Sequence, residues 1–108
     1  MEKIEKNGNI AVVLHRKYGI GWSSENPTLK ETLMFHPLIV EKVEKGLQHQ
    51  ITEKWLIANF GEEFGEVYTG CVEGLDVVYI PKGSFFRVME YDGFESIDIF
   101  DINKYTQA

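Results

Sequence analysis

The chain has 108 residues, 44% of them apolar and 13% aromatic, enough for one domain with its own core and too rich in rings for a disordered chain. Eleven Lys and Arg against seventeen Asp and Glu leave a net charge of −6, which argues against general DNA or RNA binding through a broad basic surface. A single cysteine, Cys71, excludes an internal disulfide, and no apolar run reaches the roughly 18 residues of a membrane span.

Residues 1–9 are polar and close on Asn7-Gly8-Asn9, a turn-forming cluster, so they read as a flexible lead-in. Ile10 to His15 is a short β-branched run and predicts a strand with at least one buried face. Lys17 to Pro27 breaks all periodicity and is the longest loop candidate. Thr28 to Phe35 fits a helix through Leu29, Leu33 and Met34 and an extended chain through Thr32, Met34 and Phe35, so its type stays open. Pro37 suits a first helical position, with His36 as the helix-opening residue before it. Ile39, Val40, Val43 and Leu47 recur at helical spacing up to Gly46, predicting a helix over 37–45. Thr52 caps a second expected helix, striped by Trp55, Leu56 and Phe60 and ended by Gly61.

Beyond Gly65 the apolar period becomes two. Leu75 to Pro81 reads as a strand, Pro81-Lys82-Gly83-Ser84 as a turn and Phe85 to Tyr91 as a second strand. Asp92-Gly93 is a hairpin turn, and Phe94 to Asp101 is a third strand. The expected fold is α+β: a small antiparallel sheet, made of a C-terminal three-strand meander plus an N-terminal strand, with two short helices on one face. Residues 10–102 form the single domain, with 103–108 as a tail. The second sheet face then needs cover, and burial against a like subunit makes a homo-oligomer the expectation.

Chemistry concentrates in the loop Arg16, Lys17, Tyr18, Gly19, Ile20, Gly21, Trp22, Ser23 and Ser24. Glycines let backbone N–H groups approach a phosphate, Arg16 and Lys17 supply charge, and Tyr18 or Trp22 offers a ring to a base, which suits a nucleotide-like ligand. Arg87 adds a further cation. The spacing matches neither a P-loop nor G-x-G-x-x-G, and the competing reading is a glycine turn pinned by a buried Trp22. Glu90, Asp92, Phe94 and Glu95 crowd the last turn and offer an acidic and aromatic surface to a protein partner, although solvated acid is the plainer reading. The histidines at 15, 36 and 49 lack zinc-ligand spacing, and no nucleophile signature is present, so neither a cofactor nor a metal nor a catalytic residue is assigned. Cys71 reads as a small buried hydrophobe.

Five stretches taken together, Tyr18-Gly19-Ile20-Gly21-Trp22-Ser23, Leu33 through Glu41, Val67-Tyr68-Thr69-Gly70, Tyr79 through Arg87 and Glu90-Tyr91-Asp92-Gly93-Phe94-Glu95, resemble a family. It is that of the small acidic proteins of unassigned function encoded by tailed bacteriophages and prophages. The similarity runs from about Ile10 to Ile99. His36 and Cys71 stand where the family more often has Asp and Gly. The resemblance implies a phage-encoded protein of the host cytoplasm that antagonises host defence. Such a protein either sequesters a nucleotide-type signalling molecule or blocks a defence protein directly, and an enzyme is the least expected outcome.

Overall fold

In the computed structural model, which describes residues 1–100 and 107–108, the fold is α+β with antiparallel strands and short helices, as expected. Glu5–Lys6 (β1) turns through Asn7 and Gly8 into Asn9–His15 (β2). Asn7 and Gly8 both have positive φ, 52° and 78°, the pair of left-handed conformations that closes a two-residue hairpin. The polar start is thus partly structured, not a free lead-in. Leu75–Pro81 (β3) lies antiparallel along all of β2, from Asn9 opposite Pro81 to His15 opposite Leu75.

Strand β2 is apolar at successive positions because both of its faces are covered. Ala11 and Val13 join one core cluster with Ile39, Val40, Leu56 and Phe64, and Val12 and Leu14 join another with Met34, Phe35 and Ile80. The first is roofed by helices Pro37–Glu44 (α2) and Glu53–Phe60 (α3). The second is covered by the short helix Lys30–Phe35 (α1) and by a separate hairpin, Phe86–Tyr91 (β4) with Phe94–Ile99 (β5). Phe86, Val88, Ile97 and Ile99 supply its apolar side.

Two expectations change here. The last three strands are not one meander, because β3 pairs with β2 while β4 pairs only with β5. The turn after Pro81, closed by Ser84 donating to the Pro81 carbonyl through both N–H and Oγ, carries the chain from one layer to the next. The sheet face for which a second subunit was expected as cover is roofed by the chain's own hairpin. The predicted strand end at Asp101, the domain end at 102 and the start of the tail at 103 lie outside the described residues.

The helix boundaries follow local chemistry. Thr52 Oγ1 accepts from Trp55 N–H at 3.2 Å, and Gly61 at φ 114° ends α3. Between α1 and α2, His36 is extended and its Nδ1 accepts the Leu38 N–H at 3.2 Å, an N-cap made by a neutral imidazole. Burial, and secondarily the positive N-terminal amine, hold this imidazole below its ordinary range. The sign follows: a folded-state value under the unfolded one makes the contribution complete above the unfolded value of 6.5 and lost as the pH falls below it through the folded value. Urea midpoints are therefore expected to drop on acidification below about pH 6.5. His36→Asn, which caps at any pH, should flatten that component, and His36→Ala should lower stability by about 1 kcal/mol at pH 8.

Candidate functional site

The Asp92-Gly93 turn of the β4–β5 hairpin docks directly on the glycine-rich loop. Gly19 N–H donates to the Asp92 carbonyl at 2.6 Å and Arg16 Nη1 to the Glu95 carbonyl at 2.9 Å. The Arg16 guanidinium also lies 4.6 Å from the Phe94 ring centre. Gly93, at φ 85°, sits so close to Gly19 that a Cβ there would strike the Gly19 backbone.

Beneath this contact Glu95 is completely buried. Its Oε1 accepts the His15 N–H at 2.9 Å, and its Oε2 accepts the Trp22 N–H at 2.8 Å, the Ser24 N–H at 3.0 Å and the Ser24 hydroxyl. No lysine or arginine forms an ion pair with this carboxylate among the described residues. The charge is held by three backbone dipoles and a hydroxyl, as an anion is held in a backbone nest. Gly21 is required beside it, since a Cβ at that position would come within 2.9 Å of Glu95 Oε2 and would also meet Ser24 Oγ.

This geometry redistributes the residues expected at a ligand site. The N–H groups of Trp22 and Ser24, which a loop of this composition would turn on a phosphate, are occupied by a carboxylate of the same chain. Trp22 is wholly buried and its indole N–H donates to the Leu33 carbonyl at 2.9 Å, so its ring belongs to the core and is not a stacking surface. Arg16 is engaged by the hairpin. Arg87, on β4, pairs through Nε with Asp98 at 3.0 Å. Of the acidic turn, Glu95 is inside the protein and not on a partner-binding surface, Glu90 accepts the Gly93 N–H, and half-buried Phe94 lies against Tyr18 with ring centres 5.7 Å apart. Asp92 alone of the three carboxylates is exposed with no side-chain hydrogen bond among the described residues.

Lys17, Tyr18 and Gly19 do meet in one place, a cleft of about 420 Å³ between their loop and the segment 68–74. Tyr18 and Tyr68 are largely exposed there, at 69% and 52%. The Tyr68 ring folds over Gly70, where any Cβ would collide with it. His15, only 3% exposed, is also in the lining. Its Nδ1 lies 2.7 Å from the Gly93 carbonyl. A carbonyl only accepts, so Nδ1 carries the hydrogen and Nε2 is the ring nitrogen left for another contact. That Nε2 lies against Gly74, another lining residue, and has no hydrogen-bond partner among the described residues. Glu73 completes the cleft with a carboxylate.

The cleft also contains Cys71, whose Sγ faces the Tyr68 and Gly21 carbonyls at 3.5 and 3.9 Å. Burial pushes this thiol up to about 11, so it is a protonated, inert group at neutral pH. Among the described residues no group of three His, Cys, Asp or Glu side chains could hold a metal ion, and no helix is long and apolar enough to cross a membrane. Sequence reasoning missed His15, Tyr68, Glu73 and Gly74, because their part in the cleft arises from the pairing of β2 with β3, 60 positions apart at His15 and Leu75. Comparison with known protein families, with curated proteins and with solved structures finds no match to this chain.

Proposed function

We propose that this protein captures a nucleotide-type small molecule in the cleft between Tyr18 and Tyr68. The observation that carries the reading is the buried His15, fixed by Gly93 so that an unpartnered Nε2 lies among cleft residues that include two exposed tyrosine rings. The volume of about 420 Å³ suits a mononucleotide-sized ligand. In this reading Tyr18 and Tyr68 stack on the base, an interaction of about 1–3 kcal/mol per base. His15 Nε2 accepts from an amine or hydroxyl of the ligand, Glu73 accepts from a sugar hydroxyl, and Lys17 draws the phosphate. No step is asked of the protein beyond binding, since Cys71 is no nucleophile. In the setting implied by the resemblance, capture of this kind removes a host signalling nucleotide from circulation. The alternative, inhibition of a host protein through the acidic turn, keeps only Asp92 and exposed rings such as Tyr91 as its contacts.

A thermal-shift screen against nucleoside monophosphates and cyclic dinucleotides tests this directly. A ligand present at a hundred times its Kd adds about 2.7 kcal/mol and raises the melting temperature by several degrees. Tyr18→Ala and Lys17→Ala, at exposed positions, should melt like the parent without ligand and lose most of that rise. A screen flat across all nucleotides overturns the proposal, and conversion of the stabilising ligand into product would replace capture by turnover.

A further inference from the structure

A second cleft, of about 370 Å³, shares no lining residue with the first. It is bounded by the 3-10 turn Ser23–Glu25, by α1 and by β4, and one side is apolar, with Met34, Phe35, Phe86 and Val88. Phe35 and Phe86 meet edge to face there, ring centres 6.0 Å apart. Its polar part holds Lys30, Glu31 and Arg87 together with Ser23 and Ser24. The two serines differ sharply. The Ser24 hydroxyl is held by Glu95, whereas Ser23 is 3% exposed and its Oγ is the one buried side-chain oxygen or nitrogen without a partner among the described residues.

A buried hydroxyl without a partner is disfavoured, and a ligand seated in this cleft would supply one. The surroundings specify that partner. Arg87 gives only its Nε to Asp98, leaving the two terminal nitrogens of the guanidinium without a hydrogen bond among the described residues. Lys30 brings a second cation, and the opposing carboxylates are Glu31 in the lining and Asp98 on the far side of the Arg87 guanidinium. Two cations and a donor hydroxyl beside an apolar wall suit a small molecule with an anionic head on an aromatic or alkyl body. We propose that this cleft is a second ligand site, for an amphipathic anion, in which Ser23 Oγ and the Arg87 fork hold the head and Phe35 and Phe86 the body. This site stands on its own residues and does not depend on nucleotide capture at the Tyr18 cleft.

The test is an amide-resolved NMR titration with phenyl phosphate, run beside inorganic phosphate, which has the head alone, and benzyl alcohol, which has the body alone. The expected result is saturable shifts at Ser23, Lys30 and Val88, with phenyl phosphate at least ten times tighter than either half. Ser23→Ala should melt at the same temperature as the parent or higher, because an unsatisfied hydroxyl is gone, yet bind phenyl phosphate at least threefold more weakly. Arg87→Met should weaken it further, and Tyr18→Ala should leave it unchanged. The proposal is overturned if the three probes bind equally, if the shifts fall at Lys17 and Gly70 instead, or if Ser23→Ala loses stability and keeps its affinity, since Ser23 would then be a structural group.

Discussion

Glu95→Ala is expected to remove about 4 kcal/mol or more of folding stability, enough to leave a domain of this size largely unfolded at 37 °C. The size of the effect comes from what the carboxylate leaves behind. Three backbone N–H groups, of His15, Trp22 and Ser24, and the Ser24 hydroxyl would lose their common acceptor, and two of the bonds lie wholly in the interior. Each orphaned donor costs about 1–3 kcal/mol, with partial relief where water can enter beside Ser24. Glu95→Gln is a sharper probe because it keeps volume. The amide retains one acceptor oxygen but turns an NH2 group toward donors, so a loss of about 2–3 kcal/mol is expected, between the parent and the alanine variant. Urea unfolding gives the stabilities. Hydrogen exchange in Glu95→Gln should show the extra loss of protection concentrated at His15, Trp22 and Ser24. Uniform loss over all strands would show that the carboxylate does not organise the loop.

Trp22→Ala is expected to cost about 3–5 kcal/mol, the usual range for emptying the site of a large buried ring. The ring is wholly buried among Leu33, Val40 and their neighbours in the larger core cluster, and it is tied to α1 by its bond to the Leu33 carbonyl. Trp22→Phe separates packing from polarity: it keeps most of the apolar contact and orphans one carbonyl, for an expected loss of about 1–2 kcal/mol. Thermal or urea unfolding measures both losses. An alanine variant as stable as the parent would place the ring on the surface, where it could stack on a ligand. The consequence for function is practical, because loss of ligand binding in Trp22→Ala would report a damaged core and not a missing contact.

What could be read from the sequence was what local chemistry decides. The apolar run Ile10–Leu14, the Pro37 and Thr52 helix starts, the stop at Gly61 and the Asp92-Gly93 turn each carry their signal within a few residues, and all stand where expected. The pairing of strands was less legible. Leu75 to Ile99 alternates in a way that fits one three-strand meander as well as two separate layers. The choice is made by β2, whose two apolar faces need two roofs. The glycine-rich loop shows the same limit at the site. Its glycines, cations and rings suit a phosphate ligand, but the anion it encloses is Glu95, 71 positions beyond Ser24. An acidic residue in a turn read as solvated or partner-facing is the least exposed carboxylate among the described residues. His15 was passed over for a related reason: its value lies in which nitrogen is left unpaired, and that depends on the Gly93 carbonyl, 78 positions away.

The division of labour follows from this arrangement. Glu95 and the Asp92-Gly93 turn hold the loop from inside through hydrogen bonds, and Lys17 and Tyr18 line the cleft with Tyr68, Gly70 and Gly74. A site supported in this way gains affinity by avoiding ordering costs on binding. The capture of a nucleotide between Tyr18 and Tyr68 is tested most directly by following the ring nitrogens of His15 during a titration with the nucleotide that most raises the melting temperature. The expected result is a saturable shift of the His15 Nε2 resonance, with Nδ1 nearly still, and accompanying amide shifts at Lys17, Gly70 and Gly74 that vanish in Tyr18→Ala. Unmoved His15 nitrogens under saturating nucleotide would contradict capture at this cleft.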